Sequence, residues 1–151
     1  SVTGAWVALY DALARWVEAG KLKKNPLMGQ VAAVSMGIVG GQALLDLDYP
    51  EDSHAQVDMN LVGTAEGGIV EVQGTGEKTT FDRAQMDELL DLGQAGVARL
   101  VELQRACLCI DEDNAYVSPV YGCKGPYHRI TFDYILYLAL FTHTGRIDDR
   151  K

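Results

Sequence analysis

The chain has no stretch of about 18 uncharged apolar residues, the length a membrane-crossing helix needs. The longest candidate, Ile130 to Phe141, runs twelve residues and contains Asp133, so a membrane span is excluded. Cysteine is scarce. Cys107, Cys109 and Cys123 are an odd number in C-x-C rather than C-x-x-C spacing, with no histidine at zinc-finger distance. They read as reduced thiols of a cytoplasmic protein. Positive charge is also short: 13 Lys and Arg face 21 Asp and Glu, a net charge of −8 that repels polyanions at long range. Nucleic-acid binding would therefore need a local basic patch. Ser1 opens the chain with no initiator Met, basic n-region or apolar h-region, so no signal peptide is expected, and the start reads as following a missing upstream part. What is present, 48% apolar and 23% charged residues over 151 positions, suits one globular domain and excludes disorder.

Ala5, Trp6, Leu9, Ala12, Leu13, Trp16 and Val17 recur at three-and-four spacing, which predicts a first helix ending at Gly20. Ser1 or Thr3 offers an N-cap oxygen. Burying the two Trp and two Leu of that stripe would contribute about 1.5–3 kcal/mol per large side chain, so the helix needs a partner surface. That surface is expected to come from elsewhere or from the C-terminal tail. Lys21, Lys23 and Lys24 follow the helix, where positive charge suits its dipole, and Pro26 forbids continuation. Capping is the preferred reading of these lysines over RNA binding.

Val31 to Gly40 and Ala43 to Asp48 read as strands joined at Gly40 and Gly41. Asp48 to His54 is acidic and turn-like, with Pro50 inside. A second strand pair, Val57 to Thr64 and Ile69 to Thr75, turns at Glu66, Gly67 and Gly68. Asp82 and Gln85 form a variant capping box, with Phe81 as the staple residue. The helix they open has the stripe Met86, Leu89, Leu90, Gly93, Val97, Leu100 and Val101, and it should cover one face of the four strands. Gly93 and Gly96 each cost about 1 kcal/mol relative to Ala in a helix, which predicts close packing or a bend. From Cys109 onward helical periodicity is lost and no motif is present; Tyr116, Tyr121, Tyr127, Tyr134 and Tyr137 collect there. His54, His128 and His143 are isolated.

Asp46, Asp48, Glu51, Asp52 and Asp58 place five carboxylates within thirteen residues. Most such clusters are solvated turns, but Asp58 lies inside an apolar strand, where aspartate is poorly suited. Alternation sends Asp58 and Asn60 to one face and Val57, Met59 and Leu61 to the other. A turn returning over the polar face would bring Asp52 beside Asp58. Two neighbouring carboxylates raise each other's pKa, so one serves as a general acid while the other ionises or binds a divalent metal. The spacing is not that of an EF-hand.

Three segments resemble the C-terminal half of bacterial ribonuclease PH: AAVSMGIV from Ala32 to Val39, the DLDY-x-ED-x5-DMN pattern from Asp46 to Asn60, and EVQGT from Glu71 to Thr75. SVTGAWVALYDAL is similar to the helix that follows that family's phosphate-binding loop, and the resemblance runs through Leu108. It implies an α/β (α+β) fold, a two-layer ribonuclease PH-like domain with a four-stranded sheet packed against helices. Residues 1–30 would then close the upstream half, residues 31–108 would form the exoribonuclease domain, and residues 109–151 are an unassigned tail. The implied activity is phosphorolytic 3′ to 5′ trimming of tRNA precursors in the cytoplasm. Inorganic phosphate would be the nucleophile and Mg²⁺ the divalent metal, within a hexameric ring.

The family's two active-site aspartates fall on Asp52 and Asp58. Asp58 would protonate the leaving 3′-oxygen while Asp52 positions metal or tunes that proton, a role typically worth about 10²–10⁴-fold. The family's Gly-Thr-Arg phosphate loop precedes Ser1, which leaves Ser1 and Thr3 as the phosphate-side candidates at a helix mouth. EVQGTGEKTT departs from the usual EVQGTAEG continuation, and the tail has no counterpart. The expectation is an enzyme portion that is inactive without its phosphate-binding half. The alternatives are a non-catalytic ribonuclease PH-like subunit of a larger assembly and a stand-alone metal-binding protein built on Asp46 to Asp58.

Overall fold

A computed structural model of the chain describes residues 2–108 and 110. Ser1, Cys109, Cys123, the five tail tyrosines, His128, His143 and Ile130 to Phe141 lie outside the described residues.

The first helix, α1 (Val2–Glu18), ends as its glycine predicts. Gly20 takes φ 69°, and the Gly20 and Lys21 N–H groups donate to the Val17 and Trp16 carbonyls at 3.0 and 2.8 Å. Two strands follow, β1 (Val31–Val39) and β2 (Gln42–Leu45). Their turn needs two left-handed residues, and Gly40 and Gly41 supply φ 60° and 82°. β2 is shorter than expected, because Asp46 adopts φ 57° and takes the chain out of the strand. The acidic segment, expected as a turn, is a short helix, α2 (Tyr49–His54). The order is therefore helix, two strands, helix, two strands, helix. β3 (Val57–Thr64), β4 (Ile69–Gly76) and α3 (Arg83–Leu108) complete it. The capping box that opens α3 is reciprocal: the Gln85 N–H donates to Asp82 Oδ1 and the Asp82 N–H to Gln85 Oε1, both at 2.9 Å.

The sheet is antiparallel, in the order β2-β1-β3-β4. One face carries Ala32, Val34, Met36 and Ile38 of β1 and Val57, Met59 and Leu61 of β3, and α3 covers it with Leu89, Val97 and Val101. Gly93 and Gly96 are buried where α3 crosses the sheet. A Cβ at Gly93 would collide with the Met36 sulfur and with Leu61, so these glycines mark close packing.

The expectation for α1 is corrected in two respects. Its buried face is Thr3, Trp6, Val7, Tyr10 and Ala14, whereas Leu9 and Trp16 are about half exposed. Its partner surface comes mainly from the body of the chain, with Ile110 the one described tail residue to join it. Trp6, Val7 and Tyr10 pack with Leu27, Val31, Leu108 and Ile110, and the Trp6 and Tyr10 ring centroids lie 5.2 Å apart. The physical reason is an unpaired strand edge. β2 reaches only to Met36 on β1, so among the described residues the outward N–H and C=O groups of the first half of β1 have no strand beside them. Thr3 and Gln104 satisfy them and hold α1 against the sheet. Among the described residues, no helix is long and apolar enough to cross a membrane.

Candidate active site

The acidic segment sorts its carboxylates by local chemistry. Asp48 is the N-cap of α2: its Oδ1 accepts the Glu51 N–H at 2.8 Å, and Glu51 Oε2 accepts the Asp48 N–H at 3.2 Å. Pro50 suits the first turn, where its missing N–H is not needed. Two of the five acids are thus engaged in starting a helix. His54 is turned away as well. Its Nδ1 lies 2.8 Å from the Pro50 carbonyl and 2.9 Å from the Ser53 hydroxyl, within its own helix. Asp46 has its carboxyl raised above the usual range, first by burial and then by Glu51.

Asp52 and Asp58 remain. In β3, Asp58 pairs across to Gly37 of β1 and Thr75 of β4, on the face opposite α3. The segment between β2 and α2 folds back over this face, as the sequence predicts. Leu47 is buried, and a Cβ added at Gly37 would stand 2.7 Å from Leu47 Cδ1 and strike the Val57 carbonyl. Gly37 therefore allows the fold-back that carries α2 toward Asp58. The Asp58 carboxyl is pushed up, most by burial, next by the charge of Asp52, then by Glu77, with a partly opposing hydrogen bond from the Met59 N–H. Asp52, on the exposed side of α2, is thus close enough for its charge to act on Asp58.

Glu77 is a participant that sequence reasoning missed. Gly76 pairs with Val57, so Glu77 follows directly across the start of β3, and its N–H donates to the Gln56 carbonyl at 3.0 Å. Only the strand register makes this adjacency visible. Lys78, next in the chain, donates from Nζ to the Ser53 carbonyl at 3.2 Å and ties α2 to the end of β4.

Ser1 lies outside the described residues. Thr3 is 3% exposed, and its hydroxyl donates to the Ala33 carbonyl and accepts the Ala33 N–H. Its side chain is therefore a strand-edge tether, which corrects the phosphate-side expectation for it. Among the described residues, no group of three or more His, Cys, Asp and Glu could hold a metal ion. With Asp48 and Glu51 engaged in capping, the stand-alone metal-binding reading is set aside. A cavity of about 50 Å³ under the β3–β4 turn, between Gly63, Gly68, Ile69, Gln94 and Val97, has no titratable lining and takes no part in the acid site.

Residues 29–96 match the model of the 3′ exoribonuclease family, domain 2. Over 105 residues the chain is 54% identical to the ribonuclease PH of Synechococcus sp. (strain CC9605), a match covering 70% of this chain and 42% of that protein. The chain thus spans less than half the length of that curated relative. Among solved structures, an archaeal exosome core aligns with a TM-score of 0.48 at 25% identity, over 54% of this chain and 32% of that one. The Archaeoglobus fulgidus exosome with RNA bound to its active site aligns at 0.47 and 24%, over 58% and 35%. Residues 29–96 thus have the fold of the second domain of the 3′ exoribonuclease family. More narrowly, the chain carries a ribonuclease PH-like C-terminal portion.

Proposed function

We propose that this chain supplies the acidic half of the active site of a phosphorolytic 3′ to 5′ exoribonuclease that trims tRNA precursors in the cytoplasm. The observation that carries the reading is the placement of Asp58 in β3, across from Gly37 and Thr75 on the face opposite α3, where burial and the charge of Asp52 both push its carboxyl up. A carboxyl raised in this way holds its proton to higher pH than an ordinary carboxylate, the direction general acid catalysis needs. In the reaction a phosphate oxygen bonds to the phosphorus of the terminal phosphodiester as its bond to the 3′-oxygen breaks. Asp58 gives its proton to that oxygen, and a nucleoside diphosphate departs.

Asp52 would offer an ionised carboxylate to Mg²⁺, which keeps most of its waters and takes one or two carboxylates, and Asp58 could join it only once its proton has been given up. When bound, the ion would offset negative charge on the phosphates. The phosphate must be held by other groups. Each described arginine is engaged within the fold: Arg15 with Asp11, Arg83 with Asp87, Arg99 with Glu102, and Arg105 with Gln30. The reading therefore includes ring partners or upstream sequence that supply cations, and a 151-residue chain that is inactive alone.

The test is phosphate-dependent release of nucleoside diphosphates from an RNA 3′ end. The chain alone should release none, a version extended upstream through a phosphate loop should be active, and Asp58→Asn in that version should lower activity at least 10²-fold, roughly the lower end of a general acid's usual contribution. An extended protein whose activity survives Asp58→Asn unchanged would refute the role given to Asp58, and an extended protein with no activity would favour a non-catalytic ribonuclease PH-like subunit.

A further inference from the structure

The stretch Arg15 to Lys24 (RWVEAGKLKK) carries four cations and one acid, in a chain of net charge −8. Capping, the sequence-based explanation for its lysines, does not hold. The last carbonyls of α1 are satisfied by backbone groups: the Ala19 N–H donates to Arg15, Gly20 to Val17, and Lys21 and Leu22 to Trp16. Arg15 is the basic residue of the last turn, and the lysines lie past it, where the dipole has faded. Arg15 is occupied by Asp11 at 3.0 Å. Among the described residues, the ion pairs involve arginines alone, so Lys21, Lys23 and Lys24 stand exposed without a carboxylate.

Beside them is a second unexplained feature. Trp16, expected in the core, is 53% exposed, and Lys21 Nζ lies 5.8 Å from its ring centroid. Lys21 lies over one face of the ring, and the exposed remainder stands beside Lys23 and Lys24; an aromatic ring among cations is the combination that single-stranded nucleic acids use, bases stacking on the ring and phosphates meeting the ammonium groups.

We propose that Trp16, Lys21, Lys23 and Lys24 form a contact surface for single-stranded RNA separate from the acid site. This rests on the RNA-directed function proposed above. The loop bearing the lysines enters β1 at Val31, six residues before Gly37, which faces Asp58 across the strands. At about 3.3 Å per residue that is roughly 20 Å along the strand, so the loop joins the sheet well away from the acid site. The surface also answers an electrostatic need, because the carboxylates that do the chemistry repel the strand they act on.

The experiment uses the full 151-residue chain and a fluorescein-labelled oligouridylate, with anisotropy titrations across a salt series. Changing Lys21, Lys23 and Lys24 together to Gln should weaken binding at least tenfold and lower the slope of log affinity against log salt by about 2, at ~0.7 per phosphate contact. Trp16→Leu should weaken binding several-fold with the slope unchanged, and Trp16 emission in the parent should be quenched as RNA is added. A purely structural role for the lysines would leave the salt slope where it was, and that result overturns the proposal. So does Trp16 emission shielded from acrylamide before RNA is added, which would assign the face to a protein partner. Phosphorolysis failing in every version while the slope still responds would remove the exoribonuclease reading and keep this surface; the converse would do the reverse.

Discussion

Thr3 and Ala33, thirty residues apart, satisfy each other twice: the Thr3 hydroxyl donates to the Ala33 carbonyl at 3.1 Å and accepts the Ala33 N–H at 3.0 Å. One side chain thus meets the edge of β1 with both bonds a neighbouring strand would make there and joins α1 to the sheet. Gln104 does the same one step along. It is fully buried, and its amide donates to the Val31 carbonyl at 3.0 Å and to the Thr3 carbonyl at 3.1 Å.

Thr3→Val keeps the shape and removes both bonds. Leaving a buried backbone group unpaired costs about 1–3 kcal/mol, so the variant should melt several degrees lower, while Thr3→Ser should recover most of the loss. Gln104→Leu should be at least as damaging. Denaturant unfolding of the three variants checks the series, and an unchanged Thr3→Val would show that α1 is held by its apolar contacts alone.

Gly93 and Gly96 should respond differently to the same added methyl. Replacing Gly by Ala in a helix gains about 1 kcal/mol in propensity. At Gly93 the new Cβ would stand 2.9 Å from Leu61 Cδ2 as well as against the Met36 sulfur, and overpacking of that kind typically costs about 1–3 kcal/mol. Gly93→Ala should therefore destabilise. At Gly96 the neighbours are the two Leu45 methyls at 3.0 Å, on a partly buried side chain with room to shift, so Gly96→Ala should be near neutral. Paired melting curves decide it.

The pH dependence of Asp58 has a definite sign. Its carboxyl is raised in the folded chain by burial, Asp52 and Glu77, so the folded state holds that proton more tightly than the unfolded one. The resulting stability is fully present below about pH 4, the ordinary carboxylate value, and is lost as pH rises through the folded-state value. Asp58→Asn should accordingly melt above the parent at neutral pH, by less than about 1 kcal/mol once solvent screening is counted. At acid pH this difference should disappear. A melting series across pH checks the crossover; a penalty at neutral pH would mean that the ionised carboxylate is stabilised by a partner.

Asp48→Ala should remove the cap that starts α2, at about 1 kcal/mol, whereas Asp48→Asn should be tolerated because Asn caps as well. Faster amide exchange at Glu51 in the Ala variant alone is the expected signature, since Asp48 accepts that N–H.

Much of the fold is legible locally because its causes are local. The Gly20 stop, the Gly40–Gly41 turn and the Asp82–Gln85 box each rest on residues within a few positions of one another, and the structure shows all three. β3 matches its predicted span from Val57 to Thr64, because alternation and turn residues bound it on both sides. The Asp48–Glu51 box was also in the sequence. In a six-residue segment, however, helix and turn are separated by too little energy for pattern to choose between them.

The two aspartates were visible as a pair from their spacing and the alternation of β3, yet their environment was not. Glu77 reaches Asp58 only through the register that sets Gly76 opposite Val57. The face of α1 was undecidable for a similar reason. Ala5, Leu9, Ala12 and Trp16 form one apolar stripe, and Trp6, Val7, Tyr10 and Ala14 form another of nearly the same period. Periodicity establishes that a helix has an inside without saying which stripe it is. That choice fell to contacts distant in sequence, with Leu108 and Ile110 receiving Trp6 and Tyr10, and to Thr3, which had to meet an unpaired strand edge. Local chemistry determined the elements and their ends. Tertiary packing decided which surfaces they hide, because buried polar groups must find partners and only the assembled fold can supply them.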